Sequence, residues 1–413
     1  MAELNDDVAR AVTEAHEQEW TIIIATLIRM TGDWELAEDA TQEAFGRAVE
    51  RWSRDGIPRN PGAWLTTVAK NVVRDRWRRV ATEASGVREF AMYEEQTNGQ
   101  TMGTQDETDD RLRLVFTCAH PALALDARVA LTLRTVGGLS TAEIARAFLT
   151  SEQTIAKRLV RARGKMRNAG IPYRVPDPEE LPDRLSAVLS VLYLIFNEGY
   201  ASTAGDGLVR LDLTDEAIRL CRMLVDLMPR EAEPSGLLAL MLFQRSRTAA
   251  RVDDRGELVS LEDQDRGLWD YELIRDGSRL LRRAEALDRP GDYTIQAAIA
   301  SCHATAPDAA SVNADRLVVL YDRLLERTGS PVVALNRVVA LVMRDGPEAG
   351  LRALANPELE TALRDYYLYP ATRADLLRRI GRTSEAASAY REAEALAPNP
   401  VERAYLKRRR TLL

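Results

Sequence analysis

The sequence predicts an all-α protein of several domains, and three observations carry that expectation. Apolar residues fall at helical spacing in stripe after stripe along the chain. Capping residues and prolines bracket those stripes, as where Ser140 is followed three positions later by Glu143. One pair of short helices is joined by a tight turn, the second helix strongly basic, over Ser140 to Arg167. At 413 residues the chain is long enough for roughly two to four domains with real cores.

Residues 1–80 read as a helical bundle. Trp20, Ile23, Ile24, Leu27 and Ile28 form one apolar stripe, and Leu36, Ala37, Ala40, Ala44, Phe45 and Val49 form a second. The opposite face of that second helix carries Glu38, Asp39, Gln42 and Glu43. A surface so acidic invites a basic protein partner. The loop Arg51 to Asn60 is punctuated by Gly56 and Pro58, after which Asn60 and Pro61 cap and start a third helix. Trp64, Leu65, Val68, Val72 and Val73 give that helix its buried side. Lys70, Asn71, Arg74, Arg76, Arg78 and Arg79 are left for another surface. Cations that follow phosphates and rings that stack on unpaired bases suit opening DNA. Trp64 is read as core, while Trp77, flanked by arginines, is read equally as core and as a stacking ring.

Charge alternates along this half of the chain. Asp33 to Glu50 holds six acidic residues against Arg47, a net −5, and Arg59 to Arg79 holds six basic residues against Asp75, a net +5. Residues 81–110 then carry eight carboxylates against Arg88, a net −7, in a stretch rich in Gly, Thr, Gln and Asn; a flexible acidic linker is expected there.

Residues 111–170 form the domain with the helix pair. Ile144, Ala145 and Phe148 supply the buried face of its first helix, and Ile155, Leu159, Ala162 and Met166 that of the second. Thr154, Lys157, Arg158, Arg161 and Lys165 project outward, and from Gln153 to Arg167 there are six basic residues and no acidic one. A helix-turn-helix puts the start of its second helix in the major groove, where side chains reach base edges while later cations hold phosphates. The plain alternative is a helical hairpin with a solvated basic face.

After Asn168, residues 171–184 carry four prolines and are expected to be a stiff connector. Residues 185–413 look helical throughout. Gly381 to Pro400 matches the second half of a tetratricopeptide repeat, with Gly381 at the turn, Ala386 small for packing, Tyr390 and Ala393 inward and Pro398 closing the helix. Ala217, Cys221, Leu224 and Pro229 show the same relative spacings, and further degenerate units are expected around Leu273 to Pro290 and Pro331 to Leu354. Stacked helical pairs form a concave surface that takes a peptide or protein ligand, or serve as scaffold alone.

DWELAEDATQEAFGRAVERW, then NPGAWLTTVAKNVVRDRWRR, an acidic linker and the basic helix-turn-helix together resemble the two-domain core of extracytoplasmic-function sigma factors, bacterial subunits that direct RNA polymerase to promoters. The resemblance covers roughly residues 8 to 170. It implies that Asp33, Glu38, Asp39, Gln42 and Glu43 dock on core RNA polymerase. It implies that Lys70, Asn71, Arg74, Arg76, Trp77 and Arg78 melt and read the minus-ten element of promoter DNA, and that Glu152, Gln153, Thr154, Lys157, Arg158 and Arg161 read the minus-thirty-five element. The extended layout resembles the subgroup with a C-terminal tetratricopeptide-like extension, which is expected to regulate the core in cis. FTCAHPAL, LIFNEGY and LEDQDRGLWD go with it. Their polar residues are expected chiefly to cement helix contacts, with a ligand groove as the other use. In that subgroup two adjacent cysteines precede the His-Pro, whereas this chain has Cys118 and Ala119.

Other classes fit poorly. The three histidines, His16, His120 and His303, lie far apart, and no nucleophile elbow or phosphate-cradling loop is present, so no catalytic residue, metal ligand or cofactor is expected. Net charge is −7, the three cysteines are scattered, and neither a signal peptide nor a long apolar span is seen, so a cytoplasmic protein with no membrane partner is expected. A conventional helix-turn-helix regulator with a helical-repeat sensor domain is the alternative; it leaves residues 20–80 without a purpose. A repeat scaffold whose N-terminal domains bind only protein is the third.

Overall fold

The computed structural model describes residues 2–83, 104–148, 150–201, 211–251, 253, 258–287, 291–397 and 400–413. Among the described residues every regular element is helical, as the apolar periodicity predicts. The chain divides into two units, Met1–Ile195 and Phe196–Leu413. The expected sequence boundary at residues 171–184 therefore falls inside the first unit.

In the first unit α1 (Ala2–Thr31), α2 (Trp34–Asp55) and α3 (Pro61–Glu83) pack on one another. Asp33 caps α2, its carboxylate accepting from the Glu35 and Leu36 amides at 3.0 and 3.1 Å. The stripe from Trp20 to Ile28 is buried as expected. On α2 the inward row runs through Ala37, Ala40, Ala44, Ala48 and Trp52, while Val49, expected in the core, is 51% exposed. At 100° per residue, a row that includes positions 45, 48 and 52 carries position 49 past the contact. On α3 the buried row is Leu65, Ala69, Val72 and Val73; Trp64 is half-buried and meets Trp52 edge to face, ring centroids 5.6 Å apart.

Both ends of the span expected to be an acidic linker are helical. Residues 81–83 still belong to α3, and α4 (Thr104–Cys118) has begun by residue 104; residues 84–103 lie outside the described residues. Asp110, counted among the linker carboxylates, is buried on α4 between Arg29 at 2.7 Å and Arg113 at 2.8 Å. Burial raises its carboxyl above the ordinary value despite both arginines.

A second group of helices follows: α5 (Leu125–Leu131), a π-helical turn Thr132–Val136, α6 (Thr141–Ala147) and α7 (Glu152–Asn168). The capping box forms as expected: the Ser140 amide donates to Glu143 at 2.7 Å and the Glu143 amide donates to the Ser140 hydroxyl at 3.1 Å. Ile144, Ala145, Ile155, Leu159, Ala162 and Met166 are buried and Phe148 is half-buried. Gly138 turns the chain between the π segment and α6 at φ +77°, and a Cβ there would stand 2.6 Å from the His16 ring. The proline-rich connector is not a free spacer, because the Tyr173 hydroxyl donates to the Ala25 carbonyl at 3.2 Å and its ring meets Trp34 edge to face. Helix α8 (Leu181–Ala201) continues from it.

The second unit is a succession of helices packed on their chain neighbours: α9 (Leu211–Leu227), α10 (Ala232–Arg245), α11 (Tyr271–Ala286), α12 (Asp292–Ala304), α13 (Ala314–Thr328), α14 (Pro331–Asp345), α15 (Pro347–Leu354), α16 (Pro357–Ala362), α17 (Leu368–Arg379), α18 (Thr383–Leu396) and α19 (Pro400–Thr411). Ala217, Cys221 and Leu224 are buried on α9, as the repeat spacing predicts. Helix α10 is apolar all round and buried from Leu237 to Phe243, because α9, α11 and α12 cover it from several sides. Its Glu233 accepts from the Gly291, Tyr293 and Thr294 amides at 2.9, 2.9 and 3.1 Å, so a carboxylate from one helix caps the start of α12. Helices α17 and α18 form the hairpin expected around Gly381, which sits at φ +78°, with Ala386, Tyr390 and Ala393 buried behind it. Pro290 and Pro398 lie outside the described residues.

Candidate nucleic-acid and partner interfaces

Most of the residues expected on the outer face of helix α7 are exposed. Ser151 caps it, accepting from the Thr154 amide at 3.2 Å, and this fixes the angle at which the first turn leaves the protein. Glu152, Gln153, Thr154, Lys157 and Arg161 are all exposed. Arg158 departs from the expectation: it is half-buried and ion-paired with Asp126 of α5 at 3.0 Å. Val160 was not foreseen. It is 61% exposed, on the same face as Gln153 and Lys157 at i, i+4 and i+7, and an aliphatic group so placed suits a thymine methyl. An apolar residue standing outside the buried 3.6-residue row was the available signal.

Helix α3 exposes Asn71, Arg76 and Arg78, with Lys70, Arg74 and Trp77 half-buried. Burial first, then the Arg29 and Arg74 guanidinium groups, hold the Lys70 ammonium below its ordinary value. That cluster carries excess positive charge and gains from an incoming phosphate. Arg76 pairs with Asp39 of α2 at 2.9 Å. Both partners are exposed, so the pair contributes little and either is open to exchange for a stronger partner.

The acidic face of α2 divides in two. Asp33, Asp39, Gln42 and Glu43 are exposed as expected, although Asp33 also serves as the cap and Glu43 pairs with Arg47 at 2.5 Å. Glu38 is not on that surface. It is 3% exposed, and its carboxylate accepts from Arg134 Nε at 3.0 Å, from Arg163 Nη2 at 2.5 Å and from the Thr135 hydroxyl at 3.1 Å. Gln42, with its amide oxygen turned toward Arg134, accepts from it at 2.6 Å. These partners come from the π turn and from α7, so the helix-turn-helix domain covers part of the face expected to be open.

The π turn shapes that contact. Its last carbonyls lack partners within the coil, and α1 supplies them: Trp20 Nε1 donates to the Thr135 carbonyl and the Thr21 hydroxyl to the Val136 carbonyl, each at 3.0 Å. Near this lock burial, reinforced by Glu38, pushes the Cys118 thiol up, so Cys118 is a small core residue there. His120 Nδ1 accepts from the Ala122 amide at 3.1 Å, a local turn contact.

Several residues of the remaining motifs make contacts within the second unit. Arg251 lies 3.9 Å over the Tyr200 ring and donates to the Tyr200 carbonyl at 2.6 Å. In LEDQDRGLWD, Asp265 caps the turn at Gly267, Asp270 caps α11, and Arg266 stacks on Trp269 while donating to the His303 and Ala306 carbonyls, both at 2.8 Å. Arg251 and Arg266 thus tie separate segments together, the two aspartates cap local turns, and Leu261, Glu262, Asp263 and Arg266 also line a cleft.

Comparison with known proteins adds the following. Family models for Sigma-70 region 2 and Sigma-70, region 4 match residues 21–82 and 113–166, and a family of unknown function (DUF6596) matches residues 184–285. Over 388 residues the chain is 43% identical to an uncharacterized protein of Rhizobium meliloti (strain 1021), covering 93% of this chain and 91% of that one. Over 134 residues it is 32% identical to the ECF RNA polymerase sigma factor SigL of Mycobacterium tuberculosis (strain ATCC 25618 / H37Rv), covering 32% of this chain and 73% of that one. No solved structure matches the chain.

Proposed function

The chain belongs to the sigma-70 family of RNA polymerase sigma factors, and we propose that it is a member of the extracytoplasmic-function type whose C-terminal helical unit regulates promoter recognition in cis. The observation that carries the reading is the placement of two sigma regions, in order, on helices that leave α3 and α7 with exposed basic faces. Helix α3, through Lys70, Asn71, Arg74, Arg76, Trp77 and Arg78, opens and reads the minus-ten element. Helix α7, through Glu152, Gln153, Thr154, Lys157, Val160 and Arg161, reads the minus-thirty-five element, with Arg158 joining once it leaves Asp126. Asp33, Asp39 and Glu43 are the open part of the docking surface for core polymerase. Glu38 and Gln42 join it when α2 parts from the π turn and from α7. Neither basic face is large enough to hold DNA alone, because about half a dozen phosphate contacts are screened at cellular salt. The polymerase supplies the rest, and its presence places the protein in the cytoplasm.

The test is promoter-specific run-off transcription on fragmented genomic DNA with core polymerase, with and without the full chain. Discrete transcripts only with the chain are expected; failure to bind core or to direct initiation sinks the reading.

The repeat spacing of the hairpins in residues 196–413 supports a tetratricopeptide-like extension acting on the core in cis. Truncation tests this if the cut spares the first unit. A cut after Asn168 removes Tyr173 and its bond to α1, and also Arg184, which donates to the Phe116 carbonyl at 2.9 Å. A cut after Ala201 retains both. Regulation in cis is expected to change transcript yield in that truncation, and unaltered yield argues for an appended domain only.

A further inference from the structure

A cleft of about 700 Å³ opens in the second unit between the loop at Ser260 to Arg266 and helices α14, α17 and α19. Its size lies within the range of small-ligand sites. The aliphatic floor includes Val339, Val342, Met343 and Leu376, and Val339 is 41% exposed there. One wall carries Arg378, Arg379 and Arg409.

These three guanidinium groups converge on one carboxylate, that of Asp375, at 2.8, 2.6 and 2.8 Å. Cementing α17 to α19 needs one cation for that carboxylate. Over the whole lining four arginines, Arg266, Arg378, Arg379 and Arg409, face three carboxylates, Glu262, Asp263 and Asp375, an excess of one positive charge beside an apolar floor, in forks shaped for a further carboxylate. Glu262, 54% exposed on the opposite loop, reaches Arg379 at 3.1 Å. So exposed a pair contributes little, so its carboxylate is readily displaced by one carried on a ligand that also covers the floor.

We propose that this cleft binds a ligand bearing a carboxylate on an aliphatic body, the carboxylate taking the place of Glu262 on Arg379 and its neighbours and the aliphatic part lying on Val339, Val342 and Met343. A free peptide C-terminus and a small branched carboxylic acid share that chemistry. The site lies wholly within residues 196–413 and does not depend on the transcription reading.

Calorimetric titration of the full chain tests it with three probes: acetyl-Ala-Ala-Leu-Leu with a free carboxylate, the same peptide as its carboxamide, and 4-methylpentanoate. Saturable binding of at least one acid is expected, with the carboxamide at least about tenfold weaker, as loss of a charge-assisted contact implies. Binding of the peptide acid alone assigns the site to peptides; comparable binding of 4-methylpentanoate assigns it to small acids. Arg379→Gln is expected to weaken binding about tenfold, and Glu262→Gln, a change on an exposed loop, to tighten it severalfold by removing the internal competitor. The proposal is overturned if neither acid binds saturably, if acid and carboxamide bind alike, or if Glu262→Gln leaves the affinity of a bound acid unchanged.

Discussion

Replacing Arg163 with methionine removes one of the two cations that hold Glu38, and the consequence can be worked from the contacts. Glu38 is almost wholly buried and Arg163 and Arg134 largely so. Deleting one partner of such a network costs about 3 to 5 kcal/mol, because the remaining charge cannot be hydrated in place. Arg134 and the Thr135 hydroxyl stay on Glu38, so the lower end applies, about 3 kcal/mol. That cost falls on the packed arrangement and not on the parted one, where water reaches the carboxylate. The parting equilibrium should therefore rise about 150-fold, at 1.4 kcal/mol per decade. Native-state hydrogen exchange at the amides of residues 134–139 and at the Trp20 indole N–H reads this directly, since these groups lie at the contact. Glu38→Gln, which leaves two cations facing each other, should act similarly. The double variant should cost less than the two singles together, with a coupling of about 2 kcal/mol. In core-polymerase binding the variants should diverge: Arg163→Met frees Glu38 for docking and strengthens binding, while Glu38→Gln removes it. Exchange in Arg163→Met within fivefold of the parent, or additive costs in the double, would refute the lock.

Three further outcomes are expected. Lys157→Ala should weaken binding of the minus-thirty-five duplex to the core complex across sequences and lower the salt slope by about 1, as loss of one phosphate contact does, whereas Val160→Ser should change sequence preference with the slope unaltered; both are read by salt titration of fluorescent duplexes. Burial, then Arg247 and Arg266, push His303 down to about 4 from an ordinary 6.5, so below pH 6.5 the unfolded chain takes up a proton that the folded one refuses. Stability of the second unit should fall as pH drops from 6.5 to 4, by at most about 3 kcal/mol, and His303→Gln should flatten that part of the urea-midpoint profile. Gly138→Ala should lower the melting temperature of the first unit by several degrees, because it strains a positive φ and meets the His16 ring at 2.6 Å; an unchanged melting curve would show that α1 yields there at little cost.

Local chemistry was legible where one stretch of chain decides it. The Ser140 and Glu143 box, the buried row of α7, the stripe from Trp20 to Ile28 and the left-handed turn at Gly381 all follow from spacing and residue type. The fate of Glu38 does not. It sits in the polar row of α2 beside Asp39 and Gln42, and only arginines 96 and 125 residues away turn it inward. Helical periodicity states which face a residue occupies, not what later covers that face. Asp110, at the end of the expected linker, differs for the same reason, since it reads as a solvated carboxylate until Arg29, 81 residues earlier, is placed against it. The prolines of residues 171–184 marked the end of a helix correctly, but carried no sign that Tyr173 would anchor the segment to α1. In the cleft of the second unit, Asp375 and its three arginines come from two helices whose pairing no repeat pattern specifies.

The distance along the chain between Glu38 and Arg163 also sets an order of events during synthesis. Ribosomes add about 5 to 20 residues per second and N-terminal domains fold first. Arg134 and Arg163 follow Glu38 by 96 and 125 residues, on the order of ten seconds of synthesis, and α1, α2 and α3 are already complete at Glu83, before either cation has been added. For that interval the nascent chain presents its whole acidic face to solvent. Closure is then an acquired property, completed only when the last turns of α7 leave the ribosome, and on the proposed docking role a core polymerase close to the translating message would meet the face open before the finished protein covers it.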